Sequence, residues 1–244
     1  DLPLPGEAPT FGYETAKQLG ALLCKNLRVD ARTTGRWYLV SAMGRSAGHL
    51  AVGMCVGSGS DLVVIPEEFP AGPIKLDSIA TLVKSAITKR KAQGQDWGLV
   101  VLAEGLLDRL DPAELKAKVG NLELDEHGNP RMSEVDLGRV IRDVVAPALK
   151  AAGHDVGFIT KLIGYELRCA DPVAFDVQYT RTLGAAAVEF LANGKGDALI
   201  AIVDGKAAPL RFDDLKDPAT GKVRIRRVDP DGAFWKAALA LQAR

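Results

Sequence analysis

The sequence is poor in the features that mark several common classes of protein. Lysine plus arginine and aspartate plus glutamate number 31 each, so no net charge attracts nucleic acid or an anionic membrane. Three scattered cysteines, Cys24, Cys55 and Cys169, leave an odd thiol, which argues against a disulfide framework and favours a reducing compartment. No apolar run is long enough to cross a bilayer. We therefore predict a cytoplasmic protein that binds neither nucleic acid nor membranes.

Two kinds of ligand site are also missing from the sequence. It has no Walker-type loop and no Gly-x-Gly-x-x-Gly before a helix, so it offers no nucleotide cradle. His49, His127 and His154 have no ligand-like spacing to one another or to the cysteines, and we expect no metal site in this chain. Any bound anion must then be recognised by local geometry.

The 244 residues, 47% of them hydrophobic, suffice for a sizeable core, and short apolar runs alternate with helical periodicity. The pattern predicts a first helix from Tyr13 to about Val29, with a polar turn over 30–35. Strands are expected over 36–42, 62–65, 97–103, 154–167 (mixed with turn), 197–203 and, less regularly, 222–228. Because strands that read as continuous apolar runs are typical of parallel sheets covered on both faces, we predict an α/β fold.

Ligands of open α/β sheets bind at the carboxyl ends of the strands, and the first polar group of interest follows the strand over 36–42. There, Met43-Gly44-Arg45 leads into a helix. Glycine allows close approach of the backbone, the helix start offers unpaired N–H groups, and Arg45 supplies a forked donor for phosphate oxygens. The alternative is a simple strand-to-helix turn with a surface arginine.

A second group follows the strand over 97–103, where Glu104 can accept two sugar hydroxyls or can instead cap the next turn or pair with a lysine. The third is residues 164–168, Gly-Tyr-Glu-Leu-Arg. It combines a phenol, a carboxylate and a guanidinium suited to a phosphorylated polyol. It can equally be a surface turn in which Arg168 pairs with Asp171.

Taken in order, these motifs resemble those of one family, the phosphofructokinases. Residues 43–48 resemble its Met-Gly-Arg-x-x-Gly segment, and residues 64–67 (Val-Ile-Pro-Glu) resemble the strand that follows it. Residues 100–105 (Val-Val-Leu-Ala-Glu-Gly) resemble the strand whose glutamate binds sugar hydroxyls. Residues 164–168 stand where the family has its second sugar-phosphate motif. The four motifs are collinear over essentially the whole chain.

The opening residues resemble the pyrophosphate-dependent branch. Asp1-Leu2-Pro3-Leu4-Pro5 is similar to what ends and follows the Thr-Ile-Asp-Asn-Asp signature, so Asp1 corresponds to its last residue and is implied, with Arg45, as a catalytic residue. The earlier, proton-accepting aspartate and the glycine-rich segment that holds donor phosphates and Mg²⁺ are expected upstream of this sequence. Tyr165, where ATP-dependent members commonly have histidine, is consistent with the same branch.

The resemblance also implies roles for individual residues. Met43, Gly44 and Arg45 would contact fructose 6-phosphate, with Arg45 also near the transferring phosphoryl group. The other implied substrate-binding residues are Glu104 for sugar hydroxyls, Tyr165 and Arg168 for the 6-phosphate, and Glu166 and Leu167 in the same loop. Arg36 stands where some members send an arginine across the subunit interface to the sugar phosphate. A second crossing arginine is expected near Ile159, and Lys161 is the cation nearest to that position.

The fold implied is phosphofructokinase-like: two Rossmann-like three-layer domains with mostly parallel sheets, the first incomplete. Residues 1–34 would be the remainder of the donor domain and a connecting helix, 35–163 the sugar-phosphate-binding domain, and 164–244 the return to the first domain. The implied reaction is reversible phosphoryl transfer from pyrophosphate to fructose 6-phosphate in a homodimer or larger homo-oligomer, with Mg²⁺ as cofactor. The alternatives are an ATP-dependent phosphofructokinase and a non-catalytic subunit or fragment that binds sugar phosphate.

Overall fold

The computed structural model describes residues 8–120, 135–219 and 221–244. The helices are α1 (Tyr13–Thr34), α2 (His49–Ser58), α3 (Leu76–Ala92), α4 (Pro112–Val119), α5 (Leu137–Ala151), α6 (Tyr165–Arg168), α7 (Ala174–Ala192), α8 (Phe212–Leu215) and α9 (Ala233–Ala240). The strands are β1 (Arg36–Ala42), β2 (Leu62–Val64), β3 (Gly98–Ala103), β4 (Gly157–Ile163), β5 (Ala198–Val203) and β6 (Lys206–Arg211). Short 3-10 helices cover Pro66–Glu68 and Glu104–Arg109.

Four parallel strands form the main sheet in the order β2-β3-β1-β4. Alternate residues of the central strand β1 enter two separate cores: Trp37 and Leu39 pack on one face, and Tyr38 and Val40 on the other. Helices α3 and α5 cover the first face, and α1, α2 and α9 cover the second. The prediction of a parallel sheet covered on both faces is confirmed.

Helix α1 is longer than its periodicity predicted. The expected end near Val29 and the expected turn over 30–35 are wrong, because the helix continues to Thr34 and stops where Gly35 takes a left-handed φ of 63°. The Thr34 hydroxyl donates to the Asp30 carbonyl at 2.8 Å, and the Tyr38 hydroxyl donates to the Asp30 carboxylate at 2.5 Å. These polar residues are thus bonded to the helix and the sheet instead of forming a turn.

The C-terminal third departs most from expectation. We expected 197–203 to be a buried strand of a parallel sheet, but β5 pairs antiparallel with β6 in a separate two-stranded sheet, and of its residues Ala201 is fully buried. Asp204 and Gly205 join the two strands with positive φ values of 49° and 74°, the conformation of a tight hairpin turn. The possible strand over 222–228 is also wrong, since its described residues contribute one isolated bridge, Lys216 to Val223.

The three cysteines are free; Cys24 and Cys55 are buried, and Cys169 is exposed. Burial raises the pKa of Cys24 to about 12, so its thiol stays protonated and unreactive at neutral pH. Within residues 8–120, 135–219 and 221–244, no helix has both the length and the apolar character required to span a membrane.

A buried carboxylate joins the C-terminal helices to the first helix. Asp176, in the first turn of α7, is 2% exposed and accepts hydrogen bonds from the amides of Gly12 and Thr15, at 2.6 and 2.8 Å. It also accepts from the Thr15 hydroxyl at 2.5 Å, and that hydroxyl accepts in turn from the Val173 amide. Asp176 therefore caps α1 from another helix and fixes where the preceding loop, 164–172, meets the sheet.

Replacing Asp176 with alanine is expected to lower the free energy of unfolding by about 2–4 kcal/mol, because two amides and a buried hydroxyl lose a charged acceptor. Urea unfolding at neutral pH measures the change. The matched control is Asp213→Ala: the Asp213 side chain is 80% exposed, and the substitution should change stability by no more than about 0.5 kcal/mol. Equal effects of the two substitutions would contradict the capping role.

Candidate anion-binding site at the sheet edge

Three strands of the main sheet end at the same level. Ala42, the last residue of β1, lies opposite Ala103 of β3 on one side and Ile163 of β4 on the other. The next residue of each chain segment, Met43, Glu104 or Gly164, therefore begins at one common edge, and the Met43 amide donates to the Ile163 carbonyl at 3.1 Å. The three predicted motifs are neighbours in the structure.

The first motif is a strained loop that presents Arg45. Gly44 has a φ of 154° and Arg45 a φ of 46°, in the left-handed region that a residue with a side chain seldom adopts. The Ala47 amide closes the turn by donating to the Gly44 carbonyl at 3.1 Å. Arg45 itself is exposed, so the strain holds a guanidinium group at the sheet edge, in solvent.

Glu104 holds this loop from the neighbouring strand. Its Oε2 accepts from the amides of Gly44 and Arg45, each at 3.1 Å. We had expected a sugar-hydroxyl acceptor, a cap for the next turn or a partner for lysine, and the bonding to two loop amides is none of these. It leaves the role toward sugar hydroxyls as a prediction and adds a structural role to the same carboxylate.

Gly105 permits the loop to lie against the end of β3. A Cβ atom built on Gly105 would stand 2.6 Å from the Arg45 carbonyl oxygen and 3.1 Å from the Ser46 carbonyl carbon, both backbone atoms. Real Cβ atoms essentially never approach another atom as closely as 2.6 Å, so any other residue at 105 would push the Arg45 loop away. The pair Glu104-Gly105 thus both bonds and accommodates the loop.

The third motif forms the short helix α6, directly after β4. Burial opposes ionisation of Glu166, but hydrogen bonds from its own amide and that of Gly164, with Lys161 nearby, lower the pKa of this carboxyl. Tyr165 is 74% exposed, and the Arg168 guanidinium lies 5.4 Å from the centre of its ring. Leu167 is buried and anchors the helix, leaving Tyr165 and Arg168 in solvent.

A cavity of about 360 Å³ joins the first and third motifs. Its lining includes Met43, Leu167 and Arg168, together with the start of α1 from Phe11 to Ala16. Within the described parts of the chain, Arg45 and Glu104 do not line this cavity, although Glu104 is bonded to the residue next to Met43. The predicted residues therefore form two adjoining groups at one sheet edge.

One predicted residue, Arg36, lies apart from these groups. Arg36 begins β1, about 20 Å from the strand's other end at a rise of roughly 3.3 Å per residue. Lys161 pairs with Val40 within the sheet and lies 3.9 Å from Glu166. Asp1 lies outside the described residues, as does His127. Within one chain, Arg36 cannot reach the ligand that the sheet edge would bind.

Sequence reasoning missed residues that support the Arg45 loop from the far end of the chain. Arg227 donates to the Ser46 carbonyl at 2.7 Å, and Glu67 accepts from the amides of Gly48 and Val228, at 2.9 and 3.2 Å. The family-like Pro66-Glu67 step was visible in the sequence, but the partner segment lies some 160 residues later. No local pattern connects the two.

Two further titratable groups surround the loop. Burial and the charge of Glu104 raise the pKa of Asp108, against the opposing effects of Arg45 and Arg227.

His49, at the start of α2, lines a second cavity of about 600 Å³ with Tyr13, Lys17 and Phe234. Burial, reinforced by Arg226, lowers the pKa of His49 to about 4. His49 is therefore neutral at physiological pH and is no source of positive charge there.

Metal binding has no support from the side chains in view. Across residues 8–120, 135–219 and 221–244, no three His, Cys, Asp or Glu side chains are grouped so that they could hold a metal ion. The carboxylates nearest the site, Glu104, Glu67 and Glu166, are bonded to backbone amides. No step in this chain is therefore assigned to Mg²⁺.

Comparison with known proteins identifies the family that the motifs at the sheet edge resemble. The family model "Phosphofructokinase" matches residues 1–191. This chain belongs to the phosphofructokinase family. Its phosphofructokinase relatives include proteins named pyrophosphate–fructose 6-phosphate 1-phosphotransferase from Naegleria fowleri, 46% identical over 98% of this chain and 56% of that protein, and from Thermotoga maritima, 41% identical over 98% and 58%.

The phosphofructokinase fold is shown by solved structures as well. A crystal structure of a pyrophosphate-dependent phosphofructokinase from Nitrosospira multiformis superposes with a TM-score of 0.62 at 16% identity, covering 96% of this chain and 56% of that one. The chain thus spans little more than half the length of the curated relatives it matches. The prediction of a phosphofructokinase-like α/β fold is confirmed.

Replacing Gly105 with alanine tests the close packing at this sheet edge. The added methyl must displace the Arg45 loop, and we expect a loss of about 1–3 kcal/mol of stability in urea unfolding. The control is Gly184→Ala on α7, where a Cβ meets nothing within 4 Å and alanine should stabilise the helix by up to about 1 kcal/mol. A neutral or stabilising Gly105→Ala would show that the loop is free to move.

Proposed function

We propose that this chain is the sugar-phosphate-binding part of a pyrophosphate-dependent phosphofructokinase, which transfers a phosphoryl group reversibly from pyrophosphate to fructose 6-phosphate. The products are fructose 1,6-bisphosphate and phosphate. The observation that carries the proposal is the pair of relatives with this named activity, at 46% and 41% identity over 98% of the chain. The gathering of three sugar-phosphate motifs at one sheet edge supports it independently.

In this proposal the first motif acts on the reacting end of the sugar. Met43, Gly44 and Arg45 contact fructose 6-phosphate, and the exposed Arg45 guanidinium also stabilises the charge on the transferring phosphoryl group. Both loop amides donate to Oε2 of Glu104, which leaves Oε1 of the carboxylate. Oε1 accepts hydrogen bonds from the sugar hydroxyl groups. The carboxylate then orients loop and substrate together.

The third motif binds the other end of the sugar. Arg168 lines the cavity of about 360 Å³, and the exposed Tyr165 ring lies 5.4 Å from its guanidinium, so that a guanidinium fork and a phenol can bond the 6-phosphate. Glu166 and Leu167 keep the loop in shape, the first through the Gly164 amide and the second through burial. Lys161, close to Glu166, adds positive charge to the same loop.

The chemistry itself needs groups beyond these. In-line phosphoryl transfer requires a base for the attacking sugar hydroxyl, which the resemblance assigns to the aspartate two positions before Asp1 in the family signature. Mg²⁺, when bound, would neutralise charge on the donor phosphates. We assign it to the glycine-rich segment that holds those phosphates in the family. The part played by residues 8–244 is to bind and orient the acceptor and to offer Arg45 to the transferring group.

Assembly into a homodimer or larger homo-oligomer belongs to the proposal. Arg36 lies at the opposite end of β1 from the site, so its side chain can serve a sugar phosphate only if that ligand is bound by another copy of the chain. We further propose a cytoplasmic, glycolytic enzyme whose sugar-phosphate domain is 35–163. Residues 1–34 and 164–244 would belong to the donor domain and its connections.

The donor is identified by assaying the natural full-length protein with fructose 6-phosphate and Mg²⁺ and either pyrophosphate or ATP. We expect turnover with pyrophosphate, and the reverse reaction with fructose 1,6-bisphosphate and phosphate. Turnover with ATP alone would replace the proposal by an ATP-dependent phosphofructokinase. Fructose 6-phosphate binding without turnover on either donor would indicate a non-catalytic subunit.

Substitutions of Arg168 and Arg45 should change different kinetic constants in the same assay. Loss of Arg168 removes charge-assisted bonds to the 6-phosphate, worth about 1.5–3 kcal/mol, and should raise the KM for fructose 6-phosphate. Loss of Arg45 should mainly lower kcat. Arg32→Ala, at an exposed position on α1, is the control and should leave both constants unchanged. Unchanged kinetics in both Arg45→Ala and Arg168→Ala would contradict the site.

A further inference from the structure

Two contacts from the C-terminal segment hold the Arg45 loop. The first is made by Arg227, whose Nη1 donates to the Ser46 carbonyl at 2.7 Å across 181 residues of sequence. Ser46 directly follows Arg45, the residue in the left-handed conformation. A carbonyl fixed at this position restricts the rotation that would let Arg45 relax to an ordinary backbone conformation.

The second contact is made through Glu67, in the 3-10 helix after β2. One carboxylate oxygen, Oε1, accepts from the Gly48 amide at 2.9 Å and from the Val228 amide at 3.2 Å. The loop end and the C-terminal segment are therefore joined through a single atom. A Cβ at Gly48 would stand 2.5 Å from Ile65 Cγ2 and 2.9 Å from Glu67 Oε2, so the loop end is also tightly packed.

The cost of this arrangement indicates that it does more than fill space. The second oxygen of Glu67, Oε2, is buried and has no hydrogen-bond partner among the described residues. A buried, unpartnered carboxylate oxygen is unfavourable, and an apolar residue would avoid that penalty. Asp108 adds electrostatic support, because Arg45 and Arg227 both act on its carboxyl group and so share one neighbourhood.

We propose that Glu67 and Arg227 are positioning residues for Arg45, and that the segment around Arg227 and Val228 is therefore part of the phosphoryl-transfer site. They act by holding residues 44–48 in the strained conformation that presents the guanidinium. The kinetic part of this inference rests on the proposed function, whereas the conformational part does not. The two parts are tested separately.

Amide hydrogen exchange of the peptide covering 43–49, in the natural full-length protein, tests the conformational part. Arg227→Gln should speed exchange of the Gly48 amide and its neighbours about tenfold, the change that one hydrogen bond's net contribution gives. Arg181→Gln, an exposed position on α7, is the matched control and should leave that peptide unchanged. Unaltered exchange in Arg227→Gln overturns the proposal.

Glu67 gives a second comparison. Glu67→Gln keeps a carbonyl oxygen able to accept from both amides and should retain the protection of the loop, whereas Glu67→Ala should lose it. If Glu67→Ala does not fold, the Arg227 result alone still decides the matter. If a folded Glu67→Ala variant exchanges the amides of residues 43–49 as slowly as the parent protein, the proposal is overturned. Unaltered exchange in Arg227→Gln would have the same meaning.

A double-mutant cycle with Arg45→Ala tests the kinetic part. Arg227→Gln alone should lower kcat with pyrophosphate about ten- to a hundredfold, with the KM for fructose 6-phosphate nearly constant, because a misplaced catalytic group costs this much. In the Arg45→Ala background the same change should have no further effect. Equal losses in both backgrounds would show a general structural role and overturn the proposal. If Arg227→Gln speeds exchange but the parent protein has no activity with pyrophosphate, the proposed function is wrong and the conformational part of the inference still holds.

Discussion

The end of strand β3 sets the geometry on which the candidate site depends. Because β3, β1 and β4 run parallel and end in register, Glu104 stands beside the loop that follows β1 and accepts two of its amides. Gly105, the next residue, leaves room for the loop's backbone. The position of Arg45 therefore follows from the pairing of two strands 60 residues apart in sequence, and not from the loop's own preferences.

The energies involved are compatible with a strained loop. A residue with a side chain in the left-handed region costs about 1–2 kcal/mol, which is what Arg45 must overcome. Hydrogen bonds to a charged acceptor contribute about 1.5–3 kcal/mol each, and Glu104 accepts two of them. Part of that gain is lost to the desolvation of the carboxylate, but the two bonds are of the size needed to offset the cost at Arg45.

The sequence predicted those features that depend on neighbours along the chain. Continuous apolar runs such as Leu99 to Ala103 predicted the parallel sheet, and polar residues after each strand predicted the site. The Asp204-Gly205 pair is a local signal for a hairpin turn, but we predicted a parallel strand here from the alternation of strands with helices. The contact of Arg227 with Ser46 had no such signal, because a guanidinium that bonds a distant carbonyl leaves no periodicity. Residue types near a strand end predict where chemistry is possible, but not which groups the backbone itself uses.

Backbone use of the carboxylates changes how an anion must be bound. The amides of Gly44, Arg45 and Gly48 donate to Glu104 and Glu67, and that of Ala47 donates to a carbonyl, so these four loop amides are already bonded within the protein. A phosphate at this edge therefore cannot use these loop amides as hydrogen-bond donors in place of guanidinium groups. In the proposed site its charge is met by side chains such as Arg45 and Arg168, whose forked donors match phosphate oxygens where an ammonium would bond only as a point charge. This makes arginine, in place of lysine, a consequence of how the loop is held.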